Sequence, residues 1–161
     1  MKSNVHITQT PEETHDLGKV FGESLSPGSI IAFFGGLGVG KTTFIRGLVN
    51  GIGTSEEKLA QPKTDPSSCF GIRGVCSPTF TLLNIYDTDK KVFHFDLYRL
   101  PREEEFFASG FDAFFKTDGI CCIEWAENIA ASLPPQAFKV TLSHLGENAR
   151  QIEIVRPIRD Y

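Results

Sequence analysis

Apolar residues run along this chain in two rhythms, one helical and one continuous. Val5-His6-Ile7 reads as a short strand, and Thr10-Pro11-Glu12-Glu13 as a helix start. Thr10 can cap, Pro11 suits the first helical position and Glu13 completes a capping box. Leu17, Val20, Phe21 and Leu25 recur at helical spacing, so they are the expected core face, and Pro27-Gly28-Ser29 ends the helix. Ile30-Ile31-Ala32-Phe33-Phe34 is a continuous apolar run, the pattern of a strand buried on both faces. A helix is expected over 43–52, with Phe44, Ile45, Leu48 and Val49 inward and Gly53 as its stop. Strands are expected over 80–86 and 92–96 around the turn Asp87-Thr88-Asp89-Lys90, and a short acidic helix over 102–107. A second buried-type strand spans 119–124, and after Leu133-Pro134-Pro135 the segments 138–142 and 151–155 read as a closing antiparallel pair. The pattern predicts an α/β fold with a parallel central sheet and antiparallel additions. Residues 54–76, with Pro62, Pro66, Gly71 and Gly74, read as a long irregular loop, a length that usually signals function or disorder.

The first buried strand leads directly into Gly35-Gly36-Leu37-Gly38-Val39-Gly40-Lys41-Thr42, which fits G-x-x-x-x-G-K-[ST] at each fixed position. Glycines let backbone N–H groups approach phosphates without Cβ clashes. Lys41 brings positive charge to the β- and γ-phosphates, the Thr42 hydroxyl can ligate Mg2+, and the following helix presents its positive end. Strand, loop and helix in that order favour a phosphate loop over a flexible glycine turn. The expectation is a three-layer fold like that of the P-loop NTPases, in one domain spanning 1–161.

Such a site needs carboxylates, one to hold Mg2+ directly or through water, and a group to orient the attacking water. Asp96 and Glu124 both close apolar strands, and ligands of open α/β sheets lie beyond strand carboxyl ends. A surface acid at a strand end is the alternative for each. Ser77-Pro78-Thr79 is a third candidate, able to sense a γ-phosphate as switch loops do, or else a simple X-Pro turn.

Composition narrows the partners. The chain has 161 residues, 40% of them hydrophobic, which allows one sizeable core. A net charge of −4 gives no broad basic footprint for nucleic acid. Cys69, Cys76, Cys121 and Cys122 match no zinc spacing, so free thiols in a reducing compartment are expected. Cys121 and Cys122 read as small core residues. Neither a signal peptide nor a membrane span is expected, and the cytoplasm is the expected location.

Taken together, these segments closely resemble the bacterial TsaE (YjeE) family, the ATPases of tRNA threonylcarbamoyladenosine biosynthesis. The resemblance is collinear over roughly residues 5–155. It rests on the glycine segment through Thr43, Phe44-x-Arg46-Gly47, Ser77-Pro78-Thr79-Phe80-Thr81-Leu82, His94-Phe95-Asp96-Leu97-Tyr98-Arg99-Leu100, Gly110-Phe111, Ile123-Glu124-Trp125 and Leu133-Pro134. It implies that Gly35, Gly38, Val39, Gly40, Lys41, Thr42 and Thr43 bind ATP or ADP. Thr42 would ligate Mg2+, Glu124 would be a Mg2+-associated carboxylate, and Asp96 the other acid needed for hydrolysis. Lys41 and Thr79 would join the two acids as catalytic groups, Thr79 in a nucleotide-sensing loop, and Trp125 would lie beside the nucleotide. The implied partners are TsaD-like and TsaB-like proteins, the first transferring the threonylcarbamoyl group, with tRNA reached through them. Hydrolysis would support turnover of that assembly without making the transfer. Two departures stand out: Gly36 replaces the family's usual Asp, and 54–76 carries an apparent insertion.

Other functions compete. A small-molecule kinase needs an acceptor pocket and commonly an arginine-bearing lid, for which 54–76 offers only Arg73. GTPase signatures Asn-Lys-x-Asp and Asp-x-x-Gly are absent. A non-enzymatic switch held by bound nucleotide is the third reading. Arg99 is expected to pair with an acid, Glu103, Glu104 and Glu105 to form a solvated face, and His94 to be structural rather than catalytic.

Overall fold

The computed structural model describes residues 2–53 and 75–157. The expected loop therefore lies outside the described residues up to position 74, with Cys69 and Arg73. The elements are β1 (Lys2–Thr8), α1 (Pro11–Glu23), β2 (Ile30–Phe34), α2 (Lys41–Ile52), β3 (Leu83–Tyr86), β4 (Val92–Asp96), α3 (Glu103–Ala108), β5 (Ile120–Glu124), β6 (Phe138–His144) and β7 (Arg150–Arg156). Two 3-10 segments, Phe111–Lys116 and Ala126–Ser132, flank β5.

The strands form one seven-stranded sheet in the order β1-β7-β6-β2-β5-β4-β3. β6, β2, β5 and β4 run parallel, while β3 at one edge and β7 followed by the edge strand β1 at the other add antiparallel pairs. Period-two alternation divides β2 between two cores. Ile31 and Phe33 join Phe44, Ile45 and Leu48 beneath α1 and α2, whereas Ile30 and Ala32 join Phe95, Phe106 and Ile129 on the other face. Helical layers on both sides thus bury the parallel centre, as the continuous apolar runs predict.

Thr10 caps helix α1 as expected, whereas the return bond of Glu13 goes to the residue ahead of the cap rather than to Thr10 itself. Thr10 Oγ1 accepts from the Glu13 N–H at 3.2 Å, and Glu13 Oε2 accepts from the Gln9 N–H at 2.7 Å. Its packing face differs from the expected one: Val20 is 64% exposed. Gly18 and Gly22 meet the backbone of Phe44 and Leu48, while Gly47 and Gly51 meet that of His15 and Lys19. Small residues on both helices let the backbones touch, which a periodicity of large apolar residues cannot reveal. The strand expected over 80–86 begins only at Leu83, because the Thr81 and Leu82 N–H groups fold back onto the Pro78 carbonyl. β6 and β7 each extend past the expected limits, since they pair with each other from Lys139 opposite Val155 to His144 opposite Arg150.

Cys121 and Cys122 are buried thiols, as expected of core residues. Burial pushes Cys121 up to about 12, and Cys122 is raised in the same way. The helix contact gives a direct test. A Cβ on Gly47 would lie 1.8 Å from the His15 carbonyl oxygen. Alanine improves intrinsic helix propensity by about 1 kcal/mol, but forcing packed backbones apart costs about 1–3 kcal/mol or more. Gly47→Ala is therefore expected to lower the urea midpoint; a raised midpoint would mean that α1 and α2 separate freely.

Candidate functional site

β2 delivers the chain at Phe34 to the carboxyl edge of the sheet, and α2 departs at Lys41. The turn between them needs Gly40, whose φ of 106° is closed to most side chains. Gly36 is different: φ is not positive there and an added Cβ meets nothing within 4 Å, so its backbone does not demand glycine. Loop and strand ends enclose a cavity of about 350 Å³ lined by residues 37–43, Ser77, Thr79, Asp96, Tyr98, Glu124 and Trp125. Gly35 stands behind this lining, while all other residues expected at the site reach it.

Lys41 is 5% exposed, and its ammonium donates to the Gly35 carbonyl at 2.5 Å and the Gly36 carbonyl at 2.8 Å. The same ammonium sits 4.0 Å from the ring centre of Trp125, a residue in the left-handed region at φ 59°. Burial lowers its pKa, and the charges of Glu124, Glu127 and Asp96 oppose that shift. A desolvated cation ringed by carbonyls, an indole face and acids is well suited to meet an anion.

The two acids arrive together because β4 and β5 are parallel neighbours in register, Asp96 opposite Glu124. Glu124 Oε1 accepts from the Thr42 hydroxyl at 2.8 Å and lies 2.9 Å from His94 Nε2. A carboxylate only accepts, so Nε2 carries the proton of that contact. His94 Nδ1 is 3.3 Å from the Tyr86 hydroxyl, which donates to the Cys76 carbonyl at 3.1 Å. His94 is thus a fully buried support for Glu124, in keeping with its structural reading. Asp96 Oδ2 accepts from the hydroxyls of Thr79, at 2.6 Å, and Ser77, while Oδ1 accepts from the Tyr98 N–H at 3.0 Å. Segment 77–79 is therefore tied to the acid beside the cavity.

Arg99 departs from expectation. It lies 4.2 Å over the ring of Phe80 and makes no ion pair among the described residues. The acidic helix is only partly solvated, since Glu103 and Glu105 are half-buried and Glu105 pairs with Arg102 at 2.9 Å. Two contributors receive no role from the sequence. Tyr98 lines the cavity, and Arg150 holds the loop from behind, its Nε donating to the Val39 carbonyl at 3.0 Å. Nothing in the local sequence of β7 signals that contact, which depends on tertiary pairing.

Among the described residues no three His, Cys, Asp or Glu side chains converge to hold a metal unaided. Thr42 and Glu124 nevertheless offer hard oxygen donors side by side. That pair fits Mg2+, which commonly takes one or two protein ligands together with water and substrate phosphates.

A glycine loop between a buried strand and a helix, at the carboxyl edge of a parallel sheet, defines the P-loop fold class. Comparison with known proteins narrows this. The family model described as "Threonylcarbamoyl adenosine biosynthesis protein TsaE" matches residues 8–152. Curated relatives named tRNA threonylcarbamoyladenosine biosynthesis protein TsaE include that of Treponema pallidum, 33% identical over 92% of this chain and 97% of its own. The protein of that name from Bacillus subtilis is 33% identical over 94% of this chain and 85% of its own. The crystal structure of YdiB from Bacillus subtilis superposes with a TM-score of 0.71 at 27% identity, covering 96% of this chain and 86% of that one. The chain belongs to the TsaE family, and its role lies in threonylcarbamoyladenosine biosynthesis. No helix among the described residues is long and apolar enough to cross a membrane.

The His94–Glu124 contact predicts an order of stabilities. His94→Phe keeps the ring but leaves the buried carboxylate short of a donor, which costs about 1–3 kcal/mol. His94→Gln carries a donor at the reach of Nε2 and is expected to lose less. Urea unfolding of the three proteins measures this; equal midpoints for the two variants would show that His94 acts through its bulk alone.

Proposed function

We propose that this protein binds and hydrolyses Mg-ATP in the cavity above Lys41, and that hydrolysis supports tRNA threonylcarbamoyladenosine formation. The observation that carries the reading is the Thr42–Glu124 pair beneath the glycine loop, with Asp96 beside it. In this reading the loop amides of residues 38–43 and the Lys41 ammonium bind the phosphates. Mg2+, when bound, spreads the charge of the β- and γ-phosphates. Thr42 and Glu124 hold it, and His94 keeps Glu124 aimed. Asp96, held by Ser77 and Thr79, orients the attacking water and makes the 77–79 segment responsive to the nucleotide. Trp125 and Tyr98, whose rings lie 5.0 Å apart, form the aromatic wall of the cavity. The partners are TsaD-like and TsaB-like proteins in the cytoplasm, with tRNA met through them.

Lys41→Ala removes a charged phosphate contact worth about 1.5–3 kcal/mol, so Mg-ADP affinity should fall roughly tenfold or more. Unaltered binding by calorimetry would refute the loop's assignment. Asp96→Asn and Glu124→Gln should each slow single-turnover hydrolysis far more than they weaken ADP binding, and Mg2+ dependence should change more for Glu124→Gln. Full hydrolysis in both variants would remove the two acids from the mechanism.

Arg99 lies over the Phe80 ring, so a charge supplied in trans is the expected completion of the site. Phosphate release is accordingly expected to be slow for the isolated protein and faster with the TsaB–TsaD pair. Equal rates with complex formation verified would leave a self-sufficient ATPase or a kinase as the better account.

A further inference from the structure

Arg150 opens β7, just past the turn of the β6–β7 hairpin. Its Nε donates to the Val39 carbonyl at 3.0 Å. Its Nη1 is shared among the carbonyls of Ala149 at 2.9 Å, Glu147 at 3.1 Å and Gly146 at 3.4 Å. All these acceptors are main-chain oxygens, and among the described residues Arg150 forms no ion pair. Its charge is spent on holding backbone.

The acceptor in the glycine loop determines what that hold achieves. The Val39 C=O and the Gly40 N–H belong to one peptide unit, which is trans. In a trans peptide the two groups point in opposite directions. Drawing the Val39 oxygen towards the hairpin therefore turns the Gly40 N–H the other way, away from the hairpin. A charged donor on the oxygen also polarises the amide and strengthens its N–H as a donor. Gly40, at φ 106°, has no side-chain bulk to lock this peptide by itself. The hairpin braces the other end of the loop as well, since a Cβ on Gly35 would lie 2.4 Å from the Leu142 carbonyl oxygen of β6.

We propose that Arg150 is a positioning residue of the glycine loop, fixing the Val39–Gly40 peptide so that the Gly40 N–H serves as an anion donor. The β6–β7 hairpin is thereby part of the phosphate site. This rests on the proposed reading of the loop, and its test separates the two. The Gly40 amide resonance is followed by 1H–15N NMR in the protein without nucleotide, and Mg-ADP affinity by calorimetry, for wild type, Arg150→Met and Arg150→Lys. Loss of the guanidinium in Arg150→Met should shift the Gly40 resonance and weaken Mg-ADP about threefold to tenfold, the range of one polar contact. Arg150→Lys, which can still reach one carbonyl, should recover part of both effects. An unmoved Gly40 resonance in folded Arg150→Met overturns the assignment, whatever the wild type binds. So does a shifted resonance with unchanged affinity in a wild type that binds Mg-ADP. Should Arg150→Met fail to fold, Arg150→Lys decides by the same two readouts. A wild type that takes up no nucleotide overturns the reading of the loop itself, and Arg150 is then judged on the Gly40 resonance alone.

Discussion

A carboxylate buried at a strand end must find donors, and Glu124 finds them on two other elements. It is 3% exposed and takes the Thr42 hydroxyl from α2 and the His94 ring N–H from β4. That requirement fixes relations that the backbone alone leaves open. α2 must begin level with the end of β5, and β4 must lie beside β5 in the register that sets His94 opposite Cys122 and Asp96 opposite Glu124. A slip of one residue would turn His94 to the opposite face of the sheet. Glu124 would then be left with one donor in a setting where each missing partner is expensive. The arrangement that satisfies Glu124 also sets Asp96 at the rim of the cavity.

Lys41 answers a complementary need. Its ammonium is buried where burial alone lowers its pKa, and its compensation is distributed among two loop carbonyls, the Trp125 ring and three acids. None of these partners is a close carboxylate contact among the described residues. The lysine is stabilised as a cation without a tight ion pair. Its charge therefore stays available to an anion in the cavity.

Much of this architecture is written into local sequence. Continuous apolar runs at β2 and β5 announce strands buried on both faces, and the spacing from Gly35 to Thr42 announces the loop. Strand-end positions single out Asp96 and Glu124 because parallel strands all bring their carboxyl ends to one edge. Contacts set by tertiary packing leave no such trace. The α1–α2 interface is made by Gly18, Gly22, Gly47 and Gly51, residues that a hydrophobic pattern counts as gaps. Val20 fits the helical spacing yet faces outward, because closely packed backbones leave little room for a large side chain between them. Arg150 lies 111 positions from its acceptor on Val39, and Arg99 meets an aromatic face where its sequence neighbourhood suggests an acid.

The chain between α2 and β3 raises a question of robustness, since the site depends on Ser77 and Thr79 at its far end. The structure answers it with anchors at both ends. The Gly53 carbonyl accepts from the Asp89 N–H at 3.1 Å, fixing the chain where α2 ends. On return, the Val75 carbonyl accepts from Arg46 Nε at 2.6 Å. The Cys76 carbonyl accepts from Asn84 Nδ2 and from the Tyr86 hydroxyl, each at 3.1 Å. Arg46 belongs to the helix that carries Thr42, and Tyr86 lies beside the histidine that supports Glu124. Ser77 and Thr79 are thus referenced to α2 and, through Tyr86 and His94, to Glu124, independently of what lies between 53 and 75. Lengthening a connection between fixed ends costs little, since closure entropy grows only with the logarithm of length. The hydrogen bonds from Ser77 and Thr79 to Asp96 can therefore keep their geometry whatever the length of that connection.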